Sequence, residues 1–364
     1  MSSKIETIQY NPEQARLWDD YVQGHPLGTY CHLSGWKEVF EKSYGHGSYF
    51  IQAVDDNRSL KGIFPLVHLR HVLFKNLLTS LPFLDLGGIL AEDRQTERFL
   101  FAKALELFNS KGIRLFEIRQ QREMKDSGPE KGCPSIENQG SLRCTDGPEK
   151  VRMLKELPVS SKALWSELPS KLRSQVRRPL KSGCWTEIGG PELVDDFYKV
   201  FAEHMRDLGS PVHSKSLIMN TLLIFPDLAR LCLVYWQEKP IAGSLIFAFK
   251  GVVSNPWSSA LRGFSQMSPN MLLYWTMLEY ASDHGFNRFD FGRSTPGEGT
   301  FRFKSQWGAK PQPLYWYTFT RKQTNRHIHP KASRKYSTVI KLWSMLPVAV
   351  STMLGPHIRK YISL

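Results

Sequence analysis

The chain repeats itself, and that repeat limits its fold more than any single motif does. Leu105-Glu106 is followed by Gly112 and then by Phe116-Glu117, while Leu278-Glu279 is followed by Gly285 and then by Phe289-Asp290. The offset between the copies is the same at every one of these landmarks. Each copy predicts an amphipathic helix closed by a glycine, then a buried strand ending in an acid. Upstream, Phe50–Val54 and Leu60–Leu69 predict a β-hairpin around Asp55-Asp56-Asn57. Leu231–Trp236 and Ile241–Phe249 predict its counterpart around Glu238-Lys239-Pro240. Gly62 and Gly243 sit early in the second strand of each hairpin, at a slightly larger offset. The two copies therefore differ in the length of the connecting loop.

With 364 residues and 41% hydrophobic content, the chain can bury a core in each of two domains. The polar N-terminus has no apolar core of a signal peptide, and no apolar run reaches the roughly 18 residues of a spanning helix. Cys31, Cys133, Cys144, Cys184 and Cys232 are scattered without CxxC spacing, so neither a disulfide framework nor a zinc site is expected. A cytoplasmic setting is expected with them. The polar, Gly/Pro-punctuated stretch at 120–150 separates a first domain (1–150) from a second (151–325), and 326–364 forms a tail.

The formal charge is +14, and it is localised. Glu298 is the last acid, and twelve Lys or Arg follow it. A second acid-free block, between Glu167 and Glu187, holds Lys171, Arg173, Arg177, Arg178 and Lys181. Charge of one sign in blocks suits an anionic partner such as phosphate, nucleic acid or a membrane headgroup; a solvated basic face is the plainer alternative. Arg173, Arg177 and Lys181 recur every four residues, which aligns them on one helix face and suits a diphosphate. Pro179 is expected to end or kink that helix after Arg178.

The segment Asn287–Pro313 joins two apolar runs through Gly292, Pro296, Gly297 and Gly299. Read as a strand, its second run puts Arg302 and Lys304 on one face and Phe301 and Phe303 on the other. Either it packs a core edge or it holds an anion. Ser268 is a candidate N-cap with Pro269 in the first turn of the repeat's second helix.

Phe289-Asp290-Phe291-Gly292-Arg293-Ser294, then Phe301-Arg302-Phe303-Lys304, then Gln306-Trp307-Gly308-Ala309 resemble the closing motif of FemAB-like proteins. That family includes the aminoacyl transferases of peptidoglycan bridges. The likeness is greatest to the branch associated with exosortase and exopolysaccharide systems, and in weaker form it spans most of residues 1–320. It implies an α/β (α+β) fold of two tandem GNAT-like domains, with mixed, splayed sheets flanked by helices, plus the basic C-terminal helical tail. It also implies that Lys304 lies at the substrate site, binding phosphate or stabilising the oxyanion of acyl transfer. Arg302, Arg293, Arg173 and Arg177 are candidate substrate contacts with it. The Leu33-Ser34-Gly35-Trp36-Lys37 stretch resembles a family segment that opens a cleft-lining helix, which makes Lys37 a candidate phosphate contact. Buried packing accounts for Trp36 equally well. Gly209-Ser210-Pro211-Val212 resembles another family motif and brings Ser210 to the candidate cleft.

An acid at a strand end could act as general base for an attacking amine, which makes Asp290 a catalytic candidate; Glu117 is its repeat mate. His204 and Asp207 precede the Gly209 turn as further candidates. No metal-ligand spacing and no nucleophile motif appear in the sequence, so direct transfer in a ternary complex is expected. The GNAT resemblance implies a pyrophosphate site at the start of the second repeat helix. The glycines such a loop usually carries are missing from Arg262–Asn270. The acyl donor is thus either aminoacyl-tRNA or acetyl-CoA as co-substrate, and no cofactor-binding residue can be named.

Residues Thr338–Leu354 are mostly apolar but interrupted by Lys341 and Pro347. Flanked by cations, they suit an interfacial helix on anionic lipid, at about 1 kcal/mol per near-surface cation, or a helix packed on the domains. The reading is an N-acyl or aminoacyl transferase acting on a diphosphate-linked cell-envelope or exopolysaccharide precursor, with tRNA and an anionic membrane as candidate partners. The alternatives are an acetyl-CoA-dependent N-acetyltransferase of a sugar precursor and a non-catalytic, membrane-associated assembly or RNA-binding factor.

Overall fold

The computed structural model describes residues 5–70, 76–124, 143–146, 150–320 and 334–363. In chain order the first elements are β1 (Glu6–Gln9), α1 (Ala15–Gly24), α2 (Gly35–Tyr44), β2 (Gly47–Val54), β3 (Leu60–Leu69), β4 (Leu77–Thr79), β5 (Leu90–Ala91), α3 (Arg94–Ser110), β6 (Leu115–Gln120) and β7 (Arg143–Asp146). Then come β8 (Lys150–Glu156), α4 (Ser161–Glu167), α5 (Ser170–Lys181), β9 (Cys184–Gly189), α6 (Val194–Asp207), α7 (Lys215–Ile224), β10 (Ala229–Trp236), β11 (Lys239–Phe249) and β12 (Val252–Ala260). The last are α8 (Pro269–Asp283), β13 (Arg288–Ser294), α9 (Gly299–Ser305), β14 (Lys310–Thr320), α10 (Arg334–Ser344) and α11 (Val348–Arg359). The chain forms two compact units: Met1–Lys150 with Pro313–His327 and Lys360–Leu364, and Val151–Gln312 with Ile328–Arg359.

In the first unit the strand order is β1-β2-β3-β4-β6-β14, antiparallel except for parallel β4 and β6. Asp55 shapes the β2–β3 turn by accepting from the Asn57 and Ser59 amides. Asp93 caps α3 by accepting from the Thr96 amide at 2.7 Å. Gly112, with φ of +60°, lets the chain leave the helix. The inner face of α3 carries Leu100, Phe101, Ala104 and Phe108 onto Phe64 and Phe116 of the sheet. Gly62 is required here, because a Cβ would lie 2.8 Å from both Leu100 and Thr96.

The second unit repeats the pattern as β9-β10-β11-β12-β13-β8, with β12 and β13 the parallel pair. Its helix α8 is buried almost all round and is followed by Gly285, the counterpart of Gly112. Phe116 and Phe289 are fully buried at matching positions. In each unit the parallel pairing is brief: Leu77↔Leu115 to Thr79↔Glu117, and Val252↔Arg288 to Ser254↔Asp290. Beyond it the two strands follow different neighbours and part. The expected tandem architecture of mixed, splayed sheets flanked by helices, with a helical C-terminal tail, is the one the chain adopts.

Several local expectations are corrected. Phe301–Lys304 lie in helix α9, not a strand: Arg302 N–H bonds to the Glu298 carbonyl, and Gln306 N–H to that of Arg302. A helix satisfies its own backbone, so this short segment needs no neighbouring strand. Pro179 does not end α5, which runs to Lys181. In the last turn it sacrifices one amide bond, and its buried ring packs inward. Ser268 precedes α8 in the left-handed region (φ +59°) without a side-chain cap. Cys144 is disulfide-bonded, against the expectation of no disulfide, whereas Cys31, Cys184 and Cys232 are buried thiols. Most of the polar stretch at 120–150, and the start of the tail, lie outside the described residues.

Candidate functional site

The strand opening of the second unit is backed by Tyr274 of α8. Its ring stacks on Phe291 at 5.5 Å and meets the edge of Phe303 at 5.0 Å, with Trp307 at 6.4 Å. Asn255 and Ser258, both on β12, hydrogen-bond its oxygen, yet burial outweighs them and pushes the phenol up. Tyr274 therefore keeps its proton at neutral pH.

Lys304 follows Phe303 of this cluster on α9. Two residues apart on a helix is about 200°, so Arg302 and Lys304 point to opposite sides. Arg302 is exposed, while Lys304 is 8% exposed and its Nζ donates to the Arg293 carbonyl at 2.7 Å. A buried ammonium must be compensated by oxygen ligands, and the FDFGRS segment is shaped to supply one. Asp290 makes that shape: its Oδ1 accepts from the Gly292 amide at 2.8 Å, and its Oδ2 from Arg152 Nε at 2.6 Å. Gly292, at φ +73°, gives the left-handed turn, and the β13–β8 register shifts between Asp290 and Arg293. Asp290 thus holds the bulge that aims the Arg293 carbonyl at Lys304. Arg152 and Tyr274 carried no sequence signal: neither sits in a motif, and their partners Asp290 and Asn255 lie far along the chain.

Ser259 Oγ of β12, Ser282 Oγ of α8, Ser294 Oγ of β13 and Trp307 Nε1 just after α9 are buried polar atoms with no hydrogen-bond partner. Orphaned buried donors are uncommon and suit a site that receives a polar ligand.

Other candidates lie elsewhere. On α5, which packs against α8, Arg177 sits over the Trp165 ring at 5.2 Å and Arg173 is half-buried. Ser210 lies in the turn after α6, where its amide bonds to the Met205 carbonyl. That turn is held by the tail: Ile340 packs on Gly209, Gly355 on Val212, and Arg206 donates to the Leu346 carbonyl at 3.1 Å. His204 bonds through Nδ1 to the Ala260 carbonyl, and Asp207 pairs with Arg206. Lys37 belongs to the first unit, where it pairs with Glu41 at 2.6 Å and lines a cavity of about 240 Å³ with Tyr10 and Tyr49. Trp36 is wholly buried, with its Nε1 on the Tyr30 carbonyl.

The matching opening of the first unit is differently furnished. There the chain's own Ser363 takes up the polar groups: its carbonyl accepts from the Phe83 amide (2.7 Å) and Arg119 Nη2 (3.1 Å), and its hydroxyl donates to Glu117 (2.9 Å). Among the described residues no cluster of His, Cys, Asp and Glu could hold a metal ion.

Residues 169–305, from the start of α5 to the end of α9, match the family model of the acetyltransferase (GNAT) domain. No curated protein matches the chain. Among solved structures, FemX superposes with a TM-score of 0.62 at 16% identity, over 85% of this chain and 96% of its own. L-PGS from Bacillus licheniformis gives 0.53 at 13% identity, over 93% and 98%. A tandem GNAT protein from the clavulanic acid biosynthesis pathway gives 0.54 at 12% identity, over 87% and 98%. At such identities the likeness shows a common fold. The family match covers α8, β13 and α9, which carry Tyr274, Asp290 and Lys304, and the chain is an acyltransferase of GNAT fold.

Proposed function

We propose that the second unit transfers an acyl or aminoacyl group directly from a bound donor to an amine of a diphosphate-linked cell-envelope or exopolysaccharide precursor, on the cytoplasmic side. The observation that carries this reading is a buried lysine, Lys304, whose ammonium is held on the Arg293 carbonyl at 2.7 Å. The amine attacks the acyl carbonyl carbon, so a C–N bond forms as the ester or thioester bond breaks. Lys304 faces the developing oxyanion, and a cation fixed in advance is worth most where water is excluded. Tyr274 gives its proton to the departing oxygen or sulfur and takes up the one the amine loses. Asp290 acts through position, by holding the bulge, and Arg173, Arg177, Arg293, Arg302 and Ser210 are the further proposed substrate contacts.

Ester and thioester donors differ in what they ask of the α8 N-terminus. The chain enters α8 through a 3-10 turn, Arg262–Met267, and Ser268, without the paired glycines that would bring backbone amides close to a pyrophosphate. That supports aminoacyl-tRNA, whereas the acetyltransferase family match supports acetyl-CoA. Calorimetric titration with acetyl-CoA, and in parallel with charged and uncharged tRNA at fixed salt, decides between them. Preference for charged tRNA supports aminoacyl transfer, and micromolar acetyl-CoA binding supports acetyl transfer. Binding of neither, together with a Lys304→Met protein that functions normally, overturns the reading.

A further inference from the structure

The tail helices turn one face inward and leave the other bare. On α11 the buried positions are Ser351, Gly355 and Arg359, each one helical turn from the next, and a Cβ on Gly355 would lie 2.9 Å from the Val212 nitrogen. The opposite face shows Met353 (64% exposed) and Leu354 (40%). On α10 the outer residues are Val339 (59%) and Leu342 (61%), and Met345 (71%) follows in the turn after the helix. Five of the eleven large apolar side chains exposed among the described residues thus fall between Val339 and Leu354. Such a concentration in one stretch of chain exceeds ordinary single scatter.

The charges around this stretch select its occupant. Lys341 is exposed on α10, Lys360 follows α11, and the sequence holds no acid after Glu298. A second copy of the chain would bring cations against cations. An anionic bilayer takes both features, with apolar side chains at the acyl boundary and lysines among the headgroups. No helix among the described residues is long and apolar enough to cross a membrane, so the contact lies on the surface. We propose that α10 and α11 form a reversible docking surface for anionic lipid. The proposal does not depend on the transfer reaction.

Sedimentation of the full chain with phosphatidylcholine vesicles, and with vesicles that also contain phosphatidylglycerol, tests it. The chain should pellet with the anionic vesicles only, and less so at high salt. Leu342→Gln with Met345→Gln, and separately Lys341→Gln, should each weaken binding, the double variant by about tenfold. These side chains point outward, so an unchanged thermal midpoint will show that folding is intact. Equal binding to neutral vesicles, no binding to either, or wild-type binding by the double variant would overturn the proposal. So would a dimer in light scattering that the same double variant converts to monomer.

Discussion

Arg359 donates its Nε to Nε2 of His213 across 3.1 Å, with both side chains buried. The bond ties the end of α11 to the turn that carries Ser210. It also requires His213 to accept at Nε2, and therefore to be neutral. Burial first, and the Arg359 charge second, hold that ring well below its ordinary 6.5. His46, whose Nε2 lies 2.8 Å from the Lys360 carbonyl, is pushed down to about 4, again chiefly by burial.

Acid should therefore loosen the tail first. A histidine with a lower pKa folded than unfolded binds an extra proton on unfolding. Its stabilisation is full above about 6.5 and is lost as the pH falls below that value. For His46 alone the loss by pH 4 is on the order of 3 kcal/mol. Hydrogen exchange between pH 7 and about 4.5 should show amides of α11 losing protection before those of β11. Uniform loss would rule this order out.

Lys304→Met should lower kcat by about 100-fold, while Arg302→Ala, which removes an exposed substrate contact on the other side of the helix, should act on KM and alter kcat by less than about threefold. Steady-state kinetics with whichever donor binds will compare the two. Similar losses in both would mean that burial of Lys304 has no bearing on the reaction.

Tyr274→Phe should cost about 10- to 100-fold in kcat and remove the alkaline limb of the pH–rate profile. A limb that persists assigns the proton transfer to another group.

Asp290→Asn should destabilise before it inactivates. Arg152, 11% exposed, would lose its countercharge, at a cost of about 3–5 kcal/mol. Denaturant unfolding reads this directly. A Lys304 variant that destabilises the protein as much would show that the bulge and the cation are not separate in role.

Gly355→Val should detach α11 from the Val212 backbone, lowering stability by about 2–3 kcal/mol and slowing transfer if the Ser210 turn contacts substrate. Chemical denaturation together with KM and kcat checks both halves of that expectation. A stable variant with wild-type KM would free Ser210 from any substrate role.

The fold could be read because its landmarks are local and occur twice: Gly112 and Gly285 close equivalent helices, and Phe116 and Phe289 fill equivalent cores. Period was the weaker guide. Phe301-Arg302-Phe303-Lys304 alternates like a strand, yet a segment without a neighbour to pair with folds as a helix, and that places Arg302 and Lys304 apart. The importance of Lys304 was visible through its motif, whereas Arg152 and Tyr274 were not, since only the folded sheet brings them to Asp290 and Asn255. Lys37 illustrates the converse, a motif residue whose described partner is simply Glu41 on its own helix.

The first unit is discontinuous in sequence, with β14 in its sheet and Ser363 in its strand opening. A ribosome delivers Met1–Lys150 first, but the sixth strand of that sheet and the hydrogen bonds of Ser363 come only after the whole of Val151–Gln312 has been made. The part of the protein that is made first is therefore the part that is finished last. Until then it must wait with an unpaired edge at β6, and with Arg119 lacking one of its carbonyl acceptors.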